Sequence, residues 1–194
     1  MTAPSRRMHY TYQEYLALEE ESAIRHEYLT GEIYAMAGGT PDRAALAAAV
    51  LAILRPQLPR GCRAFTSDLR VRISSTGLTT YPDAAVVCGG SQRAPEDPVA
   101  VTNPLILVEV TSNSTEAYDR GEKLRHYRAI PSLREILVVS HREPRITIHR
   151  RGDGDRWEST DAAEGQSATL ESIGGLLQVD DVYRDGLEDA GPRA

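Results

Sequence analysis

Cysteine is scarce in this chain. Only Cys62 and Cys88 occur among 194 residues, too few for a disulfide framework and without the spacing of a zinc ribbon or a thioredoxin-like redox centre. They are expected to be reduced, as in a cytoplasmic protein. Long apolar runs are also missing: the longest, Ala44 to Leu54, covers 11 residues, against the ~20 that a membrane helix needs. No membrane association is therefore expected. Arg6 and Arg7 are followed by His9, Gln13 and Glu14 where a signal peptide would place an apolar segment, so none is expected. Positive charge is in deficit. With 22 Lys+Arg against 28 Asp+Glu the net charge is −6, which argues against a protein that coats nucleic acid by general electrostatics but not against an enzyme that touches it locally. Between Arg120 and Arg151 the balance reverses, with nine basic residues and three acids; such a stretch is ordinarily a solvated face.

No repeat, biased tract or long linker divides the chain. One soluble domain over residues 11–183 is expected, behind a flexible leader (1–10) and ahead of a disordered polar tail (184–194). A domain of this size buries roughly 70% of the surface that its unfolded form exposes, so it needs no staples. Thr11 with Glu14 three residues on has capping-box spacing, and the pattern predicts a helix from Tyr12 to Leu29. A short strand is expected between Gly31 and Gly39, then a second helix from Pro41 to about Leu58. Strands follow over Arg63–Ile73, Tyr81–Cys88 and Leu105–Val110, the last two nearly continuous apolar runs of the kind buried on both faces. A helix from Ser114 to Ala129, a buried strand over Glu135–Ser140 and a more exposed one over Arg145–Arg150 complete the core. Trp157–Thr160 pairs with the last as a hairpin. The order predicts a mixed α/β sheet flanked by helices.

Two carboxylates stand where charge is costly. Asp83 follows Pro82 at the head of one apolar strand, and Glu109 interrupts Leu105-Ile106-Leu107-Val108 in another. An isolated buried carboxylate costs several kcal/mol even after relaxation, and two on neighbouring strands repel. A divalent cation between them answers both problems, since Mg²⁺ takes one or two carboxylates plus water and phosphate. The competing reading pairs each carboxylate with an arginine or a backbone turn.

The segments Glu27-Tyr-Leu-Thr-Gly-Glu32-Ile, Tyr81-Pro-Asp83-Ala, Val108-Glu109-Val-Thr-Ser112-Asn-Ser114-Thr115 and Tyr118-Asp119-Arg-Gly-Glu-Lys123-Leu-Arg-His-Tyr127 are specific when taken together in this order. Over about residues 11–183 the chain resembles the Uma2 family, a bacterial group within the PD-(D/E)XK, or restriction-endonuclease-like, superfamily. The resemblance implies an αβββαβ core and a DNA endonuclease dependent on Mg²⁺ or Mn²⁺, with Asp83, Glu109 and the carbonyl of Val110 as metal ligands. It also implies that Lys123 takes the place of the superfamily's strand lysine, because Thr111 stands at that strand position. The competing reading of Lys123 is a solvated helix residue.

Glu27, near the end of the predicted first helix, is a further candidate carboxylate, and Glu32 competes for that role. Asp68 and Asp119 read first as partners of Arg70 and Arg120 or as caps. Asp42-Arg43 replaces a His-Asn pair common in the family, which leaves the function of that position open. The histidines show no ligand spacing among themselves. A homodimer is expected, because related nucleases often cut with paired sites and the strand Arg145–Arg150 is read as an open edge near Trp157. Two other functions compete: an inactive nuclease-fold binding module, and a metal-dependent phosphohydrolase acting on RNA or a nucleotide.

Overall fold

Thr11 starts the first helix as its spacing predicts. Its hydroxyl accepts the Glu14 N–H at 3.2 Å, and the Glu14 carboxylate accepts the Thr11 N–H at 2.6 Å. The computed structural model describes residues 9–36, 38–113, 116–184 and 187. Most of the predicted leader and tail therefore lies outside the described residues, as do Ser114 and Thr115 of the predicted third helix.

Helix α1 (Tyr12–Glu21) ends well before Leu29. Its last turn carries Glu19, Glu20 and Glu21 and no basic residue, which is unfavourable at the negative end of a helix. The chain then turns back as a hairpin, β1 (His26–Leu29) and β2 (Glu32–Ala35), joined by Thr30-Gly31 with φ of 45° and 99°. Two positive φ values in a two-residue loop make a type I′ turn, which the Thr-Gly pair between apolar segments could have revealed. Glu27 consequently sits on a strand, not on a helix.

Helix α2 (Pro41–Leu54) is capped by Thr40 and runs into a short 3-10 turn. The predicted strand 63–73 is two strands in different sheets, β3 (Cys62–Thr66) and β4 (Val71–Ile73). Next come β5 (Leu78–Thr80), β6 (Ala84–Cys88), β7 (Arg93–Ala94), β8 (Asp97–Val101) and β9 (Pro104–Val110). The predicted third helix is broken at Gly121 into α3 (Glu116–Arg120) and α4 (Glu122–Arg128). The rest is β10 (Glu135–Val139), β11 (Arg145–Arg151), β12 (Trp157–Ala163), the hairpin β13 (Ser167–Leu170) and β14 (Gly175–Gln178), and α5 (Val179–Val182).

These strands build two six-stranded mixed sheets and a two-stranded one. The central sheet has the order β12-β11-β10-β9-β6-β3, with β9 and β10 parallel and the remaining pairs antiparallel. Taken along the chain, α2, β3, β6, β9, α3/α4 and β10 form the expected αβββαβ core. The second sheet, β2-β1-β5-β4-β8-β7, was not anticipated.

Strand alternation divides the core into two faces. Ala84, Val86, Ile106, Val108, Leu137 and Val139 pack with Leu46, Val50 and Leu54 of α2. Ala85, Leu107, Ile136 and Val138 pack on the other face with Leu124 and Tyr127 of α4 and with Val71, Ile73 and Leu78 of the second sheet. Asp83 and Glu109 share the parity of this second face.

Three further expectations are corrected. The strand Arg145–Arg150 is not an edge, because β12 pairs with it along its whole length; the open edge offered for a homodimer is thereby removed. Trp157 packs against the guanidinium groups of Arg151 and Arg128, 4.9 and 5.8 Å from its ring. Cys62 and Cys88, opposite each other on β3 and β6, are joined as a disulfide and not reduced. Finally, the basic stretch is a solvated face only in part: Arg120, Arg125, Arg128, Arg134 and Arg142 are exposed, but Arg150 and Arg151 are structural. Arg150 pairs with the fully buried Glu135 at 3.1 Å, and Arg151 donates to the carbonyls of Arg128, Ile130 and Leu133.

Candidate functional site

Antiparallel pairing of β6 with β9 places Ala84 opposite Val108, so one more step brings Asp83 opposite Glu109. Helix α4 crosses that end of the sheet and lowers Lys123 and Tyr127, one turn apart, onto Glu109. The hairpin β1/β2 adds Glu27 from the second sheet. Sequence reasoning had selected these four charged residues, and the structure brings all of them together.

Glu109 is fully buried. Its Oε1 accepts the Tyr127 hydroxyl and lies 3.0 Å from Lys123 Nζ, while Oε2 is buried with no hydrogen bond. Burial pushes its pKa up to about 8; the Lys123 charge opposes this, and the nearby Asp83 and Asp119 charges reinforce it. The Lys123 ammonium, 4% exposed, sits 3.0 Å from Glu27 and 3.7 Å from Asp119 as well. Burial works against its charge, but Glu109 and the other acids outweigh that and hold its pKa well above the ordinary value. A solvated helix lysine is thus excluded. Glu27 is in turn held by the Thr80 hydroxyl.

Asp83 takes the competing reading in full. Its Oδ1 lies 2.9 Å from Arg43 Nη2, and its Oδ2 accepts Arg43 Nη2 at 3.0 Å, Arg43 Nε at 3.3 Å and the Val110 N–H at 2.7 Å. Val110, the last residue of β9, is thereby tied to Asp83. Four carboxylates (Asp83, Glu109, Glu27, Asp119) thus surround two cations (Lys123, Arg43), an excess of two negative charges when all are ionised.

Besides Tyr127, three partners were missed in the sequence. Asp119 is buried against Lys123 and not paired with Arg120; with Lys123 and Tyr127 it forms an i, i+4, i+8 stripe that helical spacing shows once the helix is drawn. Arg43 was seen only as a departure from the family. His141 lines the rim, held by Thr111 Oγ1 at 2.8 Å and Asn113 Oδ1 at 3.0 Å, which also shows what Thr111 does in place of lysine. Asp68 pairs with Arg25. Glu32 lines the cavity, and the Tyr34 hydroxyl donates to it.

The cluster lies at the base of a cavity of about 830 Å³. Glu27, Arg43, Asp119 and Lys123 reach it, and Tyr34, Met36, Tyr118 and Leu29 give it apolar walls. Among the described residues no three His, Cys, Asp or Glu side chains converge as a ready-made metal cage. A site for Mg²⁺ does not require one, because this ion keeps several waters and commonly takes only one or two carboxylates. The unbonded Glu109 Oε2 and the excess negative charge fit such an ion.

The Uma2 family model, described as "Putative restriction endonuclease", matches residues 12–180. Two proteins of Synechocystis sp., both named as uncharacterized, are similar over most of their length. One is 36% identical over 173 residues, spanning 89% of this chain and 90% of the relative. The other is 30% identical over 162 residues, spanning 83% and 91%. A crystal structure from Anabaena variabilis, titled "a putative nuclease belonging to DUF820", superposes with a TM-score of 0.69 at 18% identity, covering 90% of this chain and 98% of that one. That likeness supports the mixed α/β fold. The match to the family model over nearly the whole chain makes this protein a member of the Uma2 family.

Proposed function

We propose that the protein is a divalent-metal-dependent endonuclease that hydrolyses DNA phosphodiester bonds. The observation that carries this reading is the buried, over-negative cluster of Glu109, Glu27 and Asp119 around Lys123, with Asp83 beside it on Arg43, set at the base of an open cavity. The family's description and the Anabaena protein's title supply the class of reaction. Mg²⁺ or Mn²⁺, when bound, would polarise the phosphoryl oxygen and acidify water. Asp83, Glu109 Oε2 and the Val110 carbonyl are its proposed ligands.

The chain's own groups have separable roles in this account. Tyr127 fixes Glu109 through Oε1 and leaves Oε2 without a hydrogen bond. Glu27 and Asp119 keep Lys123 charged and oriented; its ammonium places the attacking water and offsets charge gathering on the phosphorus oxygens.

No helix among the described residues is long and apolar enough to cross a membrane. The cytoplasm, where DNA would be met, is the proposed compartment, and there the Cys62–Cys88 bond would face reduction. Supercoiled plasmid, single-stranded DNA and RNA, each titrated with Mg²⁺ and Mn²⁺ against a chelator control, test the proposal. Metal-dependent nicking that falls by at least about 100-fold in Asp83→Asn supports it. DNA binding without cleavage assigns a binding module, and cleavage confined to RNA assigns the phosphohydrolase reading.

A further inference from the structure

Arg43 enters the cavity wall from the first turn of α2 and closes both oxygens of Asp83 with a guanidinium fork at 2.9–3.3 Å. The guanidinium competes with a cation for that carboxylate, because both positive charges draw on the same two oxygens. We propose that Arg43 is exchanged between Asp83 and a phosphate of the substrate, so that Asp83 becomes available to the metal as the substrate is taken. This inference rests on the metal-dependent reading above.

Three observations support the exchange. The guanidinium fork fits phosphate oxygens as well as it fits a carboxylate, and it sheds water readily, so one charge-assisted pair replaces another. The Arg43 stem lies close against Gly39, where a Cβ would come within 3.1 Å of Arg43 Cδ, so a larger residue at that position would crowd the stem. The other cation of the cluster cannot make the same move, since Lys123 is held by Glu27, Glu109 and Asp119 under α4. Without phosphate, binding a metal strands Arg43 unpaired; with phosphate it does not. By linkage each ligand must raise the affinity of the other.

The test uses the full chain as wild type, Arg43→Ala and Arg43→Gln, the second keeping the stem and an amide for Asp83. Calorimetry measures Mn²⁺ affinity without nucleic acid, and fluorescence anisotropy in chelator measures binding of a short single-stranded oligonucleotide. The exchange requires Mn²⁺ to bind both variants about fivefold or more tighter than wild type, because the competing cation is gone, and the oligonucleotide to bind both about threefold or more weaker. A residue that only braces Asp83 gives the opposite sign for the metal. Mn²⁺ affinity that is unchanged or lower in the variants, or an unchanged oligonucleotide affinity, overturns the exchange while leaving the metal-dependent reading in place. Absence of Mn²⁺ binding to wild type and variants alike overturns both.

Discussion

At the scale of single residues, Lys123 and Glu109 carry opposite expectations. Lys123 compensates three carboxylates in a buried place, so Lys123→Ala leaves them facing one another. Removing one partner of a buried ion pair typically costs about 3–5 kcal/mol, and denaturant unfolding of Lys123→Ala without metal should show a loss of that order. Glu109→Gln removes one charge from an over-negative cluster and replaces a carboxylate already pushed toward its neutral form. Its metal-free stability should match or exceed that of wild type, the usual mark of a functional site; a clear drop would make Glu109 a structural counter-ion of Lys123. Where the protein remains folded, Lys123→Ala should lower turnover by at least about 100-fold while Mn²⁺ affinity holds or rises. Asp83 and Glu109 were legible in the sequence because charge inside an apolar strand is costly and must be explained, whereas Lys123 and Glu27 stood out only through the family resemblance. Tyr127, Asp119 and Arg43 were not legible, because each meets the cluster only through the packing of α4, α3 and α2 on the sheet.

At the scale of elements, two glycines set the site. Gly31 turns β1 into β2 and so places Glu27; its φ of +99° is the left-handed region, and a Cβ there would meet the His9 ring at 2.6 Å. Gly31→Ala should cost about 1–2 kcal/mol in urea unfolding. Gly121 breaks the third helix where a Cβ would fall 2.9 Å from the Ala117 carbonyl. The continuous pattern from Glu116 to Arg128 hides that break, just as the acids of α1 hide its early end. Neither is a matter of hydrophobic period. The second sheet is joined to α1 through Asp97, which accepts the Tyr12 hydroxyl at 2.8 Å and pairs with Arg70 at 2.9 Å. Burial opposes the Asp97 charge, but Arg70 and Tyr12 outweigh it and hold the carboxyl below its ordinary value of 3.8. A depressed carboxylate pKa stabilises the fold above the unfolded value, and that stability is lost as pH falls through the folded one. The melting temperature of wild type should therefore exceed that of Asp97→Asn near neutrality, and the gap should close below about pH 3.8. A gap independent of pH would contradict this origin.

At the scale of the whole molecule, the αβββαβ core was readable because its central strands are nearly continuous apolar runs. The second sheet was not, because β4, β5 and β7 have two or three residues each and carry no period of their own. The Cys62–Cys88 bond closes a separation of 26 residues, and its reduction should lower unfolding stability by about 3 kcal/mol on the chain-entropy scale; equal stability with and without reductant would show that β3 and β6 need no such link. The central claim is that Asp83, Glu109 and the Val110 carbonyl hold one divalent ion beneath the cavity. Anomalous diffraction from a crystal soaked in Mn²⁺ together with a non-cleaved oligonucleotide measures this directly. The account predicts one strong peak with oxygens of all three residues at about 2.1–2.2 Å and Arg43 turned away from Asp83. A crystal with the oligonucleotide bound, no peak at this position, and Asp83 still closed by Arg43 would contradict it.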